Sequence, residues 1–195
     1  MRAATKPGEF SYVDYQRWPD SERCQLLDGH AYAMAPPSTA HQTVVFELAR
    51  QLGNALLGGP CRAFAGPIGV RLPLANEADD EVRTVFEPDL LMVCDADKID
   101  ARGIRGAPDL VIEVLSPSTA AFDQIEKRAA YERAGVRELW LIEIASGVVT
   151  RFLLEGARFA APVYLHASGR IELTVGPGLS LELDFMRALR SNESR

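Results

Sequence analysis

Hydrophobic and polar positions follow two rhythms along this chain. Residues 41–59, HQTVVFELARQLGNALLGG, are apolar at 44, 45, 48, 52, 55 and 56, the spacing of a helix with one buried face. Gly58-Gly59-Pro60 predicts where it ends, and Ser38 or Thr39 in the preceding PPST breaker is placed to cap its start. A second helix is predicted over 119–136, TAAFDQIEKRAAYERAGV, with Gly135 near its end, and a shorter one over 9–20, ended by Pro19. The other rhythm is that of strands. CQLLDGHAYAMA (24–35) holds Asp28-Gly29 between two apolar-bearing arms, a strong hairpin signal. Strands are expected over 63–74, over 85–95 with an internal proline, over 108–115, and over 138–144 and 148–155 around Ala145-Ser146-Gly147. Polar stretches at 76–84 and 95–107 read as a turn and a loop. VYLHA, RIELTV and LSLELDF give three further β-like pieces before a short helix at 185–190. The result is a strand-rich α/β chain with two substantial helices.

One position breaks the pattern. In PDLVIEVLSPST (108–119) the alternation of a strand puts Asp109, Val111, Glu113 and Leu115 on one face and Leu110, Ile112 and Val114 on the other. An apolar run of this kind suits a strand covered on both sides, which leaves Glu113 among apolar neighbours. An ionised carboxylate buried without a partner would neutralise instead, so Glu113 calls for a cation: Lys, Arg or a metal ion. Asp89 in EPDLLMVC shares a face with Leu91 and Val93 and repeats the oddity on an earlier strand. Converging carboxylates are hard oxygen ligands suited to Mg²⁺. On the following helix Asp123, Lys127 and Tyr131 are four apart and line one stripe, so Lys127 is a candidate to face the two acids. Taken alone, Asp123–Lys127 reads equally as a surface ion pair. Glu47, at the edge of the apolar stripe of the 41–59 helix, reads as a solvated charge.

Bulk properties narrow the class. The chain has 195 residues, 47% of them hydrophobic and 25% charged, ordinary values for one domain spanning 1–195. No apolar run reaches the roughly 18 residues of a membrane span, and MRAATKPGEF lacks the apolar stretch of a secretory signal, so a cytoplasmic location and no membrane partner are expected. Cys24, Cys61 and Cys94 are odd in number and without a CxxC pair, which indicates neither a disulfide framework nor a thiolate zinc site. His30, His41 and His166 show no HxxxH or HxH spacing, so no histidine-built metal site is expected. The net charge of −6 argues against a non-specific duplex binder, but not against a nucleic-acid enzyme with a local basic strip.

LLDGHAYAMAPPSTAHQ, EPDLLMV, GAPDLVIEVLSPST and DQIEKRAAYERAGVRELWLIEI together resemble the Uma family of restriction endonucleases, within the PD-(D/E)xK nuclease superfamily. The resemblance runs from about residue 10 to 155. It implies a restriction-endonuclease-like α-β-β-β-α-β core with a mixed central sheet over about 41–155, an N-terminal hairpin, and a β-rich C-terminal extension over 156–195. It implies DNA as substrate and Mg²⁺, or Mn²⁺ in its place, as cofactor. Asp89 matches the aspartate of the PD strand and Glu113 the acid of the ExK strand, so with Lys127 they form the expected catalytic set. Glu47 matches an acidic residue on the first core helix that assists metal binding, and Asp123 and Tyr131 would support Lys127. The sequence departs from the pattern twice. Leu115 stands where the superfamily places its lysine, with Lys127 supplying one from the next helix. Gln25 stands where the family's hairpin arm commonly carries glutamate. Arg71, Arg102 and Arg105 are candidates for the DNA backbone, with ordinary surface charge as the alternative. A homodimer is expected by analogy with enzymes that cut both strands.

Other readings carry less. A nuclease-like binding module without turnover fits Gln25, the displaced lysine and the acidic charge. A glycosidase built on Asp89 and Glu113 leaves the Lys127 helix without a role. Ser116 and Ser118 have no GxSxG around them and read as a turn.

Overall fold

The computed structural model describes residues 9–19, 23–117 and 119–192. Its centre is a seven-stranded sheet: β3 (Arg62–Ala65), β6 (Leu90–Val93), β9 (Leu110–Leu115), β10 (Glu138–Glu143) and β11 (Val148–Glu155) lie side by side, with β12 (Arg158–Phe159) and β13 (Val163–His166) both on β11. β9 and β10 run parallel while every other pair is antiparallel, so the sheet is mixed. Parallel neighbours need a crossover, here supplied by a helix α3. It runs from Ala120–Phe122 through a π-helical turn, Asp123–Lys127, to Arg128–Ala134, and Gly135 ends it in the left-handed conformation. With α2 (Thr39–Ala55) in front, the order α2-β3-β6-β9-α3-β10 is the expected α-β-β-β-α-β core.

The two expected strands 63–74 and 85–95 each split in two, because each passes from one sheet to another. The chain leaves β3 through a cis Gly66-Pro67 bond and continues as β4 (Val70–Arg71); β5 (Val85–Phe86) is separated from β6 by Pro88, which donates no backbone hydrogen bond. β4 and β5 belong to a second sheet with the hairpin β1 (Cys24–Leu27) and β2 (His30–Ala33), in the order β2-β1-β5-β4 and then two further strands, β8 (Gly103–Arg105) and β7 (Ile99–Asp100). Asp28 and Gly29 turn that hairpin with φ of 47° and 85°, the doubly left-handed geometry for which Asp-Gly is suited. The segment 95–107, expected as a loop, folds into β7 (Ile99–Asp100) and β8 (Gly103–Arg105).

Side-chain alternation divides the core. Leu90, Met92, Leu110, Ile112 and Val114 face α2, which presents Val44, Val45, Leu48 and Leu52. The tail covers the same side, through β14 (Arg170–Glu172), β15 (Ser180–Glu182) and α4 (Met186–Asn192). Leu91, Val93, Val111 and Leu115 face α3 and the second sheet. The short helix α1 (Tyr12–Tyr15) closes a third cluster with Leu26, Val82 and Val85. Each fully buried Leu, Val or Ile contributes about 1.5–3 kcal/mol, so the two faces of the central sheet dominate stability.

Cys61 and Cys94, expected to be unpaired, form a disulfide. They extend the β3–β6 register, Arg62 opposite Val93, by one step, a juxtaposition invisible in their 33-residue separation. Among the described residues no helix is long and apolar enough to cross a membrane.

Candidate active site

The register between β6 and β9 places Leu90 opposite Ile112, and one step further puts Asp89 opposite Glu113, on the face that looks toward α3. Close approach of backbone shapes this corner: a Cβ at Gly66 would lie 2.8 Å from the Pro88 carbonyl oxygen. Asp89 Oδ2 accepts hydrogen bonds from the Val114 amide (2.8 Å) and lies 3.1 Å from His41 Nε2. Glu113 Oε1 accepts from Lys127 Nζ (2.9 Å) and from the Tyr131 hydroxyl (2.7 Å). Lys127 Nζ is also 3.4 Å from Asp123 Oδ1. The structure therefore brings Asp89, Glu113, Lys127, Asp123 and Tyr131 together. Lys127 and Asp123, which could have been a solvated helix pair, are 3% and 5% exposed. Both belong to the π-helical turn, a feature frequent at functional sites.

Each acid has one oxygen fixed and one left over. Asp89 Oδ1 and Glu113 Oε2 accept no hydrogen bond from any described residue. Two carboxylates, Glu113 and Asp123, contact the single Lys127 ammonium and Asp89 acts on it through its charge, so the three acids and one lysine carry two more negative than positive charges when all are ionised. Burial raises the Glu113 carboxyl to about 7; Lys127 pulls it down, while Asp89 and Asp123 push it up. Burial pulls the Lys127 ammonium down, but the carboxylates of Glu113, Asp123 and Asp89 outweigh that and leave its proton held more tightly than usual. Burial, then the charge and hydrogen bond of Glu113, keep the Tyr131 proton in place. The imidazole of His41 is lowered by burial, yet its bond to Asp89 and the negative charge of Asp89 and Glu113 leave it raised above 6.5. The Val114 carbonyl adds to its proton affinity, although Nδ1 makes no hydrogen bond of ordinary geometry. Gln25, His41, Asp89, Glu113, Ser116 and Lys127 all line one open cleft.

The sequence model of the Uma2 family, described as "Putative restriction endonuclease", matches residues 12–184. The chain belongs to the Uma2 family. An uncharacterized protein of Synechocystis sp. is 28% identical over 142 residues, covering 72% of this chain and 71% of that one. The crystal structure of a "putative nuclease belonging to DUF820" from Anabaena variabilis superposes with a TM-score of 0.71 at 15% identity, covering 93% of this chain and 98% of the other. The fold is thus one shared with that Anabaena protein, and the family is a nuclease family by description.

Within that framework three expectations change. Glu47 does not join the cluster. It lies on α2, which covers the opposite face of the central sheet, and its carboxylate is taken by Arg50 (2.5 and 2.9 Å) and Gln51 (3.1 Å). Arg71 is not a surface charge. Its side chain is fully buried and held by Asp79 (2.5 Å) and Asp100 (2.7 Å). Arg102 and Arg105 also converge on Asp79, where they knit the turn at 79–81 to β7 and β8, and neither lines the cleft. One residue that sequence spacing did not single out is present: His41, in the first turn of α2, whose amide bonds to the Ser38 cap. Its link to Asp89 spans 48 residues, and the only local signal was a histidine just inside a capped helix start. Gln25 lines the cleft and is almost fully buried.

Among the described residues no group of three or more His, Cys, Asp and Glu side chains is arranged to hold a metal ion. The donors that remain are Asp89 Oδ1 and Glu113 Oε2. Two carboxylates suit Mg²⁺, which keeps several waters and is completed by substrate phosphate, better than an ion that needs an all-protein cage.

Proposed function

We propose that this protein is a divalent-cation-dependent nuclease that hydrolyses phosphodiester bonds in DNA. One observation carries the reading: Asp89 and Glu113, opposed on neighbouring strands, each keep an oxygen that no described residue bonds, in a cleft where three carboxylates face one lysine. Held by those two oxygens, Mg²⁺ or Mn²⁺ would supply Lewis-acid polarisation of the phosphate and neutralise its charge. The remaining work falls to the chain's own groups. Lys127 keeps its proton, so it acts as a fixed positive charge toward the oxygens that gain charge in the transition state, not as a base. Asp123 and Glu113 hold that ammonium from two sides, and Tyr131 donates to the same Glu113 oxygen, which fixes the Glu113 rotamer and keeps Oε2 out of these bonds. His41 and the Val114 amide do the same for Asp89. The family description and the fold of the Anabaena protein support phosphodiester chemistry.

The test is cleavage of single-stranded, duplex and branched DNA with Mg²⁺ or Mn²⁺ by the wild type, Glu113→Ala and Lys127→Ala. Cleavage by the wild type alone is expected; indistinguishable behaviour of the three removes the proposal. Gln25 favours a second reading, a nuclease-like module that binds nucleic acid without turnover, because a neutral amide occupies a cleft position where the family commonly has an acid. Gln25→Glu separates the two. If the cleft is a weakened catalyst, the added carboxylate raises the Mg²⁺-dependent rate about tenfold; if it is a binding module, cleavage stays absent in both forms.

A further inference from the structure

Beside the acidic cleft lies a second cavity of about 380 Å³, within the size range of small-ligand pockets. Tyr15, Trp18, Pro19, Arg23, Pro67 and Glu87 line it. Arg23, Pro67 and Glu87 also line the acidic cleft, so the two spaces adjoin across these residues. We propose that this cavity is a subsite for an unpaired nucleobase adjoining the phosphate to be cut, which makes single-stranded DNA the substrate class. The inference rests on the nuclease reading for its placement beside a scissile phosphate, but its own evidence is separate.

The aromatic walls are built to stay in place. Trp18 meets Phe10 edge-on with ring centroids 5.4 Å apart, and Tyr15 at 5.4 Å and 60°. Tyr15 donates its hydroxyl to Glu87 Oε1 (2.9 Å), and burial followed by the charge of Glu87 keeps that proton on the ring. Rigid aromatic side chains are the usual platforms for bases of single strands, because every base has a π face and no particular sequence is required. Polar groups complete the site. Glu87 takes Tyr15 on one oxygen and Arg23 on the other and so fixes both, and Arg23, bonded to Glu87 at 2.8 Å with its side chain 45% exposed, puts a cation between the aromatic pocket and the acids. A base inside a duplex has both faces stacked and its edge paired, so it reaches such a cavity only by being extruded, at a cost of unstacking and unpairing that a single strand does not meet.

The experiment measures binding without turnover, in EDTA, with a single-stranded oligonucleotide carrying 2-aminopurine and the duplex of the same sequence as probes. The wild type is expected to bind the single strand more tightly and to quench its 2-aminopurine by stacking. Trp18→Ala should weaken single-strand binding about tenfold and remove the quench while leaving duplex binding unchanged, and Trp18→Phe should restore most of both. Arg23→Ala, at an exposed position outside the ring cluster, should weaken single-strand binding and reduce its salt dependence without removing the quench. Equal binding of both probes by the wild type, or a quench indifferent to Trp18→Ala, overturns the inference. Because no cleavage is measured, this result is independent of the nuclease assay. A cleaving enzyme without the stacking signature sinks only the subsite, and a stacking signature without cleavage sinks only the catalyst.

Discussion

Two glutamates are buried on the neighbouring parallel strands β9 and β10, and they are buried differently. Glu138, fully enclosed, has both oxygens used by neutral donors: Oε1 by Trp140 Nε1 (2.7 Å), Oε2 by the amides of Thr174 (2.7 Å) and Val175 (3.0 Å). It pins the tail to the sheet. Glu113 has one oxygen accepting from both Lys127 and Tyr131 and another that no described residue bonds, in a cleft lined by further acids. Burial and residue type are the same, so neither distinguishes scaffold from site. Unused acceptor capacity and unbalanced charge do.

The sharpest way to break this comparison is to exchange each carboxylate for its amide. Glu113→Gln should lower any DNA cleavage rate by at least about 100-fold, the scale of a lost electrostatic contact in a reacting centre, while urea denaturation shows little loss of stability. Glu138→Gln should do the reverse. An amide nitrogen would face donors that have no other acceptor, costing about 1–3 kcal/mol of stability, while the rate per folded molecule stays unchanged. If both substitutions destabilise without touching the rate, Glu113 is scaffold too.

Next in size is the dependence of stability on pH. The Glu113 carboxyl sits at about 7 in the folded protein, above its ordinary value of 4.5, so the fold binds this proton more tightly than the unfolded chain does. Its contribution is complete below pH 4.5 and is lost as the pH rises through about 7. Metal-free wild type should therefore lose thermal stability between those limits, and Glu113→Gln should flatten the slope. His41, also raised, acts in the same direction above 6.5, so a residual slope should survive there in the variant. Thermal melts in EDTA across pH 4.5–8 check this; a slope unchanged by Glu113→Gln contradicts the assignment.

Local pattern revealed much of this site and long-range pairing hid the rest. Alternation set Asp89 and Glu113 among apolar neighbours, and four-residue spacing put Asp123, Lys127 and Tyr131 on one stripe, because these are properties of a single strand or helix turn. Periodicity does not say which side of which sheet an element covers. Hence Glu47, correctly on a helix, lies behind the sheet, and Arg71, in a short strand of the second sheet, is interior. Sheet-to-sheet handovers at Pro67 and Pro88 and the Cys61–Cys94 bond depend likewise on registers set by distant residues.

His41 is the smallest expected effect and the one that most sharpens the contrast, since the donors bonded to Glu138 are all neutral. The His41 ring is attached to Asp89 Oδ2, which also takes the Val114 amide, so loss of the ring leaves Asp89 one of two restraints. A purely structural contact would be replaced by Gln at little cost. A group that orients a metal-binding carboxylate should instead show a change of about tenfold in the Mg²⁺ concentration needed for half-maximal rate, the low end of the scale of lost outer-shell support. The maximal rate should change less, because Oδ1 remains available. Protonated imidazole strengthens the bond to Asp89 but adds a positive charge beside a cation site, so the wild type should need more Mg²⁺ as the pH falls toward and below the raised His41 value, and His41→Gln should lose that part of the trend. Titrating Mg²⁺ at several pH values in both proteins measures it, and superimposable curves would make His41 a packing residue only.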